Sequence, residues 1–156
     1  MRNFAFKLVG NLLVSYYSEN APSNEEADAA LEIFRNMNFE RLRALSFTRG
    51  GSHTAAQRKK LHDVLAGREL KTAVVTDAHF VRGVVTATSW FNKSVKAFSF
   101  SNWEDAFAYL DIQPGQHDRI WTIIKSLEAE VEKSQASAAP RVALTRGPRR
   151  ASGPRT

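Results

Sequence analysis

The sequence predicts an α/β fold in which a mixed sheet of about five strands is flanked by four to five helices. Residues 4–9 and 12–17 alternate with the period of two that a half-buried strand requires. Beyond residue 23, segments with helical spacing alternate with short apolar or β-branched runs, which is typical of strands joined by crossover helices. The expected order is an N-terminal β-hairpin followed by βαβαβα with parallel strands.

The first elements have clear boundaries. Gly10-Asn11 separates the two strands and is a two-residue hairpin signal with glycine first. Ser23 and Glu26 match a capping box, in which hydroxyl and carboxylate each satisfy a backbone N–H of the first helical turn. The apolar positions of the helix that follows recur at helical spacing: Ala27, Ala30, Leu31, Phe34 and Met37.

The middle of the chain repeats the order strand, cap, helix. A strand is predicted near residues 42–47, and Thr54 with Gln57 forms a second capping box before a helix that ends at Gly67. The run 72–76 is typical of a strand buried on both faces, and Asp77 is suited to cap a helix over 79–91. The predicted inner stripe of that helix is Phe80, Val81, Val84, Val85 and Thr88.

The C-terminal third continues the pattern. We expect a strand over 95–100, a third capping box from Ser101 and Glu104, and a last helix with Pro114 near its first turn. These elements complete a domain over residues 1–133. Residues 134–156 consist mainly of Ala, Ser, Pro, Gly and Arg without periodicity, so they are predicted to be a disordered tail.

Composition excludes several classes of protein. The 156 residues are enough for one domain, and no apolar run approaches the roughly 18 residues of a membrane span. The absence of cysteine excludes disulfides and thiolate chemistry, and with no visible export signal it favours a cytoplasmic protein. The net charge is +6, and removing five positive charges in the tail leaves about +1. Those five are Arg141, Arg146, Arg149, Arg150 and Arg155.

A candidate site is predicted where the parallel strands end. In such sheets the loops beyond the carboxyl ends converge beside helix N-termini. Here these loops are 48–54, 77–79 and 99–102. The residues that they bring to this edge are Arg49, Gly50, Gly51, Ser52, His53, Thr54, Asp77, His79 and Asn102.

No catalytic or metal pattern emerges from these residues. Adjacent Ser52 and His53 do not form a triad by adjacency, and no Gly-x-Ser-x-Gly motif is present. His53, His79 and Asp77 lack the spacing of a metal site, and His62 and His117 are expected to be solvated. The Arg-Gly-Gly-Ser run lacks the Gly-Lys-Thr ending of a phosphate-binding loop. A purely structural role, with glycines in a tight turn and Thr54 as a cap, remains open. No metal or cofactor is expected.

The order of elements over residues 3–130, together with the run VKAFSFSNWEDAFAYL, resembles the STAS family. This family comprises the anti-sigma-factor antagonist domains and their diverged relatives. The resemblance implies a non-catalytic domain that binds a protein partner, such as a switch kinase or an anti-sigma factor. In the family, phosphorylation at the start of the helix after the third strand abolishes that binding, and this position corresponds to Ser52 or Thr54.

The chain departs from the family at this turn. The family pattern has an Asp-Ser-Ser/Thr-Gly turn where this chain has residues 49–54, so Arg49 stands in place of an acidic residue. The resemblance therefore implies either a phosphorylation switch or a protein-binding scaffold without one.

Two other functions remain open. The abundance of phenylalanine suggests a carrier of a small apolar ligand or lipid, with Phe4, Phe6, Phe80, Phe98 and Phe100 as candidates. The arginines of the tail suggest an adaptor that binds nucleic acid or an acidic partner. The hairpin edge and the outer face of the last helix are possible surfaces for a homo-oligomer.

Overall fold

In the computed structural model, which describes residues 1–89 and 93–139, one mixed sheet has the strand order β1-β2-β3-β4-β5. Strands β1 and β2 are antiparallel, and the pairs β2–β3, β3–β4 and β4–β5 are parallel. This arrangement confirms the predicted fold class. The strands are β1 (Phe4–Val9), β2 (Leu12–Tyr17), β3 (Arg43–Thr48), β4 (Lys71–Val75) and β5 (Val95–Phe98).

Five α-helices lie within the described residues, as expected from the helical spacing of the sequence. They are α1 (Asn24–Asn36), α2 (Ala55–Leu65), α3 (His79–Ser89), α4 (Trp103–Tyr109) and α5 (His117–Ala138). Short 3-10 turns precede β3, α4 and α5.

The helices divide between the two faces of the sheet. Helices α1, α2 and α3 connect successive strands that advance in one direction, so right-handed crossovers bring all three to the same face. Helices α4 and α5 cover the opposite face. The packing on this face is close. Five of its side chains are 0% exposed: Leu45, Ala73, Val75, Phe107 and Leu110.

Two predicted capping boxes are confirmed. The Ser23 hydroxyl accepts from the Glu26 N–H while the Glu26 carboxylate accepts from the Ser23 N–H, and Thr54 and Gln57 repeat the arrangement. Glu26 Oε1 also accepts from the N–H of Asn3 at 2.9 Å, so the first cap joins α1 to the start of the sheet. Each box supplies partners for backbone N–H groups that a helix leaves unpaired.

The third predicted capping box, from Ser101 and Glu104, is wrong. The chain forms a 3-10 turn over Phe100–Asn102, and the hydroxyl of Ser101 pairs with that of Ser99 at 3.0 Å. Asn102 precedes α4 and makes no side-chain cap. The tight turn shifts the helix start beyond Ser101, which removes the spacing that a box needs.

The predicted cap of α3 by Asp77 is also wrong. The Asp77 carboxylate accepts from the N–H of Phe100 at 3.1 Å, while the hydroxyl of Thr76 accepts from the N–H of Ala78. Asp77 therefore connects the loops after β4 and β5. Phe80, placed in the inner stripe by its spacing, is 73% exposed, whereas the next residue, Val81, is 3% exposed, so the buried face of α3 begins at Val81.

The C-terminal boundary lies later than the sequence indicates. Residues 134–138 belong to α5, and two of their side chains bond to the N-terminus of the chain: Ser134 Oγ accepts from the Arg2 N–H at 2.9 Å and Gln135 Nε2 donates to Asn3 Oδ1 at 3.1 Å. These contacts are long-range, so local composition does not reveal them. The five tail arginines and residues 90–91 of the predicted α3 lie outside the described residues.

Candidate functional site

The three predicted loops meet at the carboxyl edge of the sheet. The Thr76 hydroxyl donates to the Thr48 carbonyl at 3.0 Å, and the Thr76 N–H donates to the Phe98 carbonyl at 2.8 Å. These bonds join the ends of β3, β4 and β5. The edge is therefore a connected surface, which we call the loop edge: residues 48–54, 76–80 and 98–102.

The two glycines of the loop edge have structural roles. Gly50 has φ +137°, a conformation that other residues rarely adopt. A Cβ on Gly51 would lie 2.2 Å from the carbonyl oxygen of Asn20 and 2.6 Å from that of Ser18. The Gly51 N–H donates to the same Ser18 carbonyl at 2.8 Å. Only glycine permits this close approach between the loop and the end of β2.

The two candidate hydroxyls differ in exposure. Thr54 is exposed, and its oxygen accepts from the Gln57 N–H at 3.2 Å as the cap of α2. Ser52 is half-buried, and its hydroxyl makes no hydrogen bond within the part of the chain that the structure describes. Of the two, Thr54 is the more accessible from solvent.

His53 points inward, away from the exposed surface of the loop edge. Its Nε2 pairs with the Tyr17 hydroxyl at 2.9 Å and its Nδ1 lies 3.3 Å from Gln57 Oε1. Burial, assisted by the positive charge of Arg58, lowers the pKa of His53 although the bond to Gln57 opposes this shift. Burial likewise raises the pKa of Tyr17. Both groups are therefore neutral near pH 7.

Arg49 turns to the opposite face of the sheet. Its Nη2 lies 2.7 Å from Glu128 Oε1 on α5, and its Nε donates to the Tyr16 hydroxyl at 3.3 Å. Burial opposes ionisation of Glu128, but bonds and charges from Arg49 and Lys125 outweigh it and hold the pKa of Glu128 below its ordinary value. The sequence grouped Arg49 with Ser52 and His53, and the structure does not bring their side chains together.

The remaining predicted residues do not assemble a catalytic group. Asp77, His79 and Asn102 are exposed, and Asp77 is occupied by the Phe100 N–H and by Arg82 at 3.7 Å. No hydrogen bond joins Ser52 to His53 in residues 1–89 and 93–139. Over the same residues, no group of three His, Asp or Glu side chains is placed to hold a metal. His117, expected to be solvated, is half-buried against the rings of Trp103 and Phe107.

The sequence did not predict a cavity of about 370 Å³ between the sheet and helices α1 to α3. Its floor is formed by β2, β3 and β4, and Ser52 and His53 line the end nearest the loop edge. Phe4 is the single lining residue among the five phenylalanines considered above, because Phe98 and Phe100 pack on the opposite face. The sequence feature that could have indicated this cavity is the set of small side chains on the central strands: Ser15, Ala44, Ser46 and Thr72.

The opposite edge of the sheet holds a more open depression. Basic side chains dominate its rim, including Lys71, Lys93 and Lys96, and Lys71 pairs with Asp111 at 3.2 Å. Among the residues that the structure describes, no predicted site residue lines this depression.

Comparisons of the chain with protein-family models, with curated proteins and with solved structures gave no significant match. Within the described residues, no helix is both long enough and apolar enough to cross a membrane.

Proposed function

We propose that this chain is a non-catalytic regulatory or scaffolding domain that binds a protein partner through the loop edge. The observation that supports this function is the exposure of Thr54, with its hydroxyl at the N-terminus of α2, on a surface built from three bonded loops. The partner is of the kinase or anti-sigma type, or is a scaffold component, as the STAS resemblance implies. The cysteine-free sequence supports a cytoplasmic location.

Phosphorylation of Thr54 is the proposed switch, with Ser52 as the second candidate. A phosphate on Thr54 would add nearly two negative charges beside the N-terminus of α2, which favours anions. The domain would tolerate the modification, whereas a partner surface matched to a neutral hydroxyl would lose a contact and gain a buried charge. The half-buried Ser52 is less open to a kinase.

The non-catalytic part of the proposal is supported by how the polar side chains are used. His53 is held by Tyr17 and Gln57, and Asp77 by a backbone N–H, so these two acid–base groups of the loop edge already serve the fold. A general base needs free access to the proton that it removes.

The test uses a pair of variants that differ in charge alone. Thr54→Asn and Thr54→Asp both retain an oxygen that can cap α2, but only the aspartate adds a negative charge. Proteins captured from the native host on the immobilised full chain are quantified by mass spectrometry. We expect a partner that is retained by Thr54→Asn and reduced at least tenfold by Thr54→Asp. Ser52→Asn and Ser52→Asp form the equivalent pair.

Ser126→Asp is the matched control, because Ser126 is exposed on α5 at the opposite face. A serine closer to the loop edge, Ser18, would not serve as a control, because it is buried and hydrogen-bonds to Asn3 and Asn20. A captured set that is the same for wild type and for all four charged and uncharged variants of Thr54 and Ser52 would contradict the proposal.

A further inference from the structure

We propose that the cavity between the sheet and helices α1 to α3 is a binding site for an uncharged small molecule with an apolar body and one hydroxyl or carbonyl group. The proposal is independent of protein binding at the loop edge. It rests on incomplete covering of the sheet, on the small side chains of the cavity floor and on the neutral polar groups at one end.

The two faces of the central strands are covered to different degrees. On the α4–α5 face, Leu45, Ala73 and Val75 are 0% exposed. On the cavity face of the same strands, Ser46, Thr72 and Val74 are only half-buried. A half-buried valine in the interior of a five-stranded sheet means that helices α2 and α3 do not close over it, and that solvent reaches the cavity.

The sequence explains the gap. In register, Ser15 lies beside Ser46, and Ala44 lies beside Thr72, so adjacent floor positions are all small. Larger side chains beside this patch, such as Leu13 of β2 and Leu65 of α2, pack together in a neighbouring cluster. Because the helices rest on the sheet through such contacts, they leave space above the small floor residues. Its volume of about 370 Å³ falls at the lower end of the roughly 300–1,000 Å³ typical of ligand sites. The occupant is therefore small.

The polar end of the cavity selects against charge. The hydroxyls of Ser15 and Ser46 lie 2.8 Å apart on the floor, and the Tyr17 hydroxyl is bonded to His53. Serine hydroxyls rotate and can accept or donate, so the pair suits a ligand hydroxyl or carbonyl. Arg58 and Arg68 both line the cavity, but the guanidinium of Arg58 donates to the carbonyl of His53 and that of Arg68 donates to the carbonyls of Val64 and Leu65. A carboxylate at the floor would lose water without gaining a cationic partner there, which is costly.

Three ligands with the same eight-carbon chain test this selectivity. At pH 7.5, 1-octanol is neutral, octanoate is an anion and octylammonium is a cation. Each is titrated into the full chain and followed by ¹H–¹⁵N NMR. We expect 1-octanol to bind saturably, with shifts at the amides of Ser15, Ser46 and His53, and to bind at least tenfold more tightly than either ion.

Two variants connect the binding to the cavity. Ser46→Ala removes one hydroxyl without adding bulk to the cavity, so it should weaken 1-octanol about tenfold, the usual effect of one lost hydrogen bond. Val74→Phe fills the cavity from its half-buried floor and should abolish binding. Urea unfolding of both variants establishes that they are folded, and Thr86→Val on the exposed side of α3 is the control that should bind as wild type does.

Three results would overturn the proposal. They are an absence of saturable binding by 1-octanol, binding of either charged compound as tight as that of 1-octanol, and unchanged 1-octanol affinity in folded Val74→Phe. Each is independent of whether a protein partner binds at Thr54, because no captured partner is needed for the measurement.

Discussion

Gly51 shows at the scale of one residue why the loop after β3 has its shape. Ala at this position would bring its Cβ against backbone oxygens of Asn20 and Ser18, which cannot rotate away as a side chain can. We expect Gly51→Ala to lower the free energy of unfolding by at least about 2 kcal/mol, as overpacking with backbone displacement does. Urea unfolding at pH 7.5 measures it.

Gly83 provides the matched control. It lies in α3, and a methyl group added there would meet no atom within 4 Å. Gly83→Ala should therefore be neutral or raise the free energy of unfolding by about 1 kcal/mol through helix propensity. If Gly51→Ala were as stable as wild type, the backbone of Gly51 would not lie as close to Ser18 and Asn20 as described here.

His53 gives the domain a specific pH dependence. Its folded pKa lies below the ordinary value of about 6.5, so the unfolded chain takes up the proton first as the pH falls. Stability from this residue is therefore present above pH 6.5 and is lost as the pH falls from there through the folded pKa. The groups facing the ring are Phe4 and Tyr17 from the sheet and Gln57 and Arg58 from α2.

The measurement is the free energy of unfolding between pH 7.5 and pH 5.5. We expect it to fall more steeply in wild type than in His53→Gln, which can hydrogen-bond but does not titrate. Both proteins contain His62, His79 and His117, so any contribution of these residues cancels when the two free energies of unfolding are subtracted. Parallel profiles for the two proteins would argue against a buried, neutral His53.

Individual side chains were the least predictable part of the site. The spacing of residues 48–54 correctly indicated a loop followed by a cap, because both are local properties. The direction of Arg49 depends on Glu128, which is 79 residues away, and the use of Asp77 depends on Phe100. Neither partner is identifiable from the neighbouring sequence.

At the scale of elements, Arg49 and Glu128 join the end of β3 to α5. The side chain of Arg49 is 55% exposed and that of Glu128 is 14% exposed, so solvent screens the pair in part. A double-mutant cycle with Arg49→Met and Glu128→Gln should give a coupling energy of about 1 kcal/mol or less. Because the pKa of Glu128 is lowered, this coupling should persist above about pH 4.5 and disappear as the pH falls through the folded pKa.

The cycle is measured by urea unfolding at intervals from pH 7 down to pH 2. Lys59→Met with Asp63→Asn removes an exposed i,i+4 pair and serves as the comparison for an ion pair within one helix. A coupling that does not weaken anywhere in this pH range would show that the contact is not ionic.

Elements were predicted more accurately than their ends. Strand and helix patterns depend on which face of each segment is buried, and this is visible as a period in the sequence. The strands β1 and β2 match the predicted ranges. The start of α4 was not predictable, because the 3-10 turn at Phe100–Asn102 precedes it and Phe100 in this turn packs against Phe47 of β3, far away in the sequence.

At the scale of the whole molecule, the end of α5 is part of the folded domain. A chain ending at residue 133 loses the bonds of Ser134 and Gln135 to the N-terminal segment, while one ending at residue 139 keeps them. We expect the shorter chain to unfold with a free energy about 1 kcal/mol lower, since each bond contributes roughly 0.5–1.5 kcal/mol and one is exposed.

Thermal and urea unfolding of the two truncated chains measure this difference. Ser134→Ala combined with Gln135→Ala in the longer chain should reproduce most of the loss. If the two truncated chains had the same free energy of unfolding, residues 134–139 would not stabilise the domain, and its end would lie at residue 133, as composition alone indicated.

The division of helices between the two faces also determines the order in which the protein can acquire its structure during synthesis. All five strands, the three crossover helices and α4 leave the ribosome before α5, so the part of this apolar face that α5 covers lacks that cover until residues 117–138 emerge. Exposed apolar surface of this kind favours aggregation of a partly made chain. The nascent protein therefore gains the full cover of this face only when its last helix arrives.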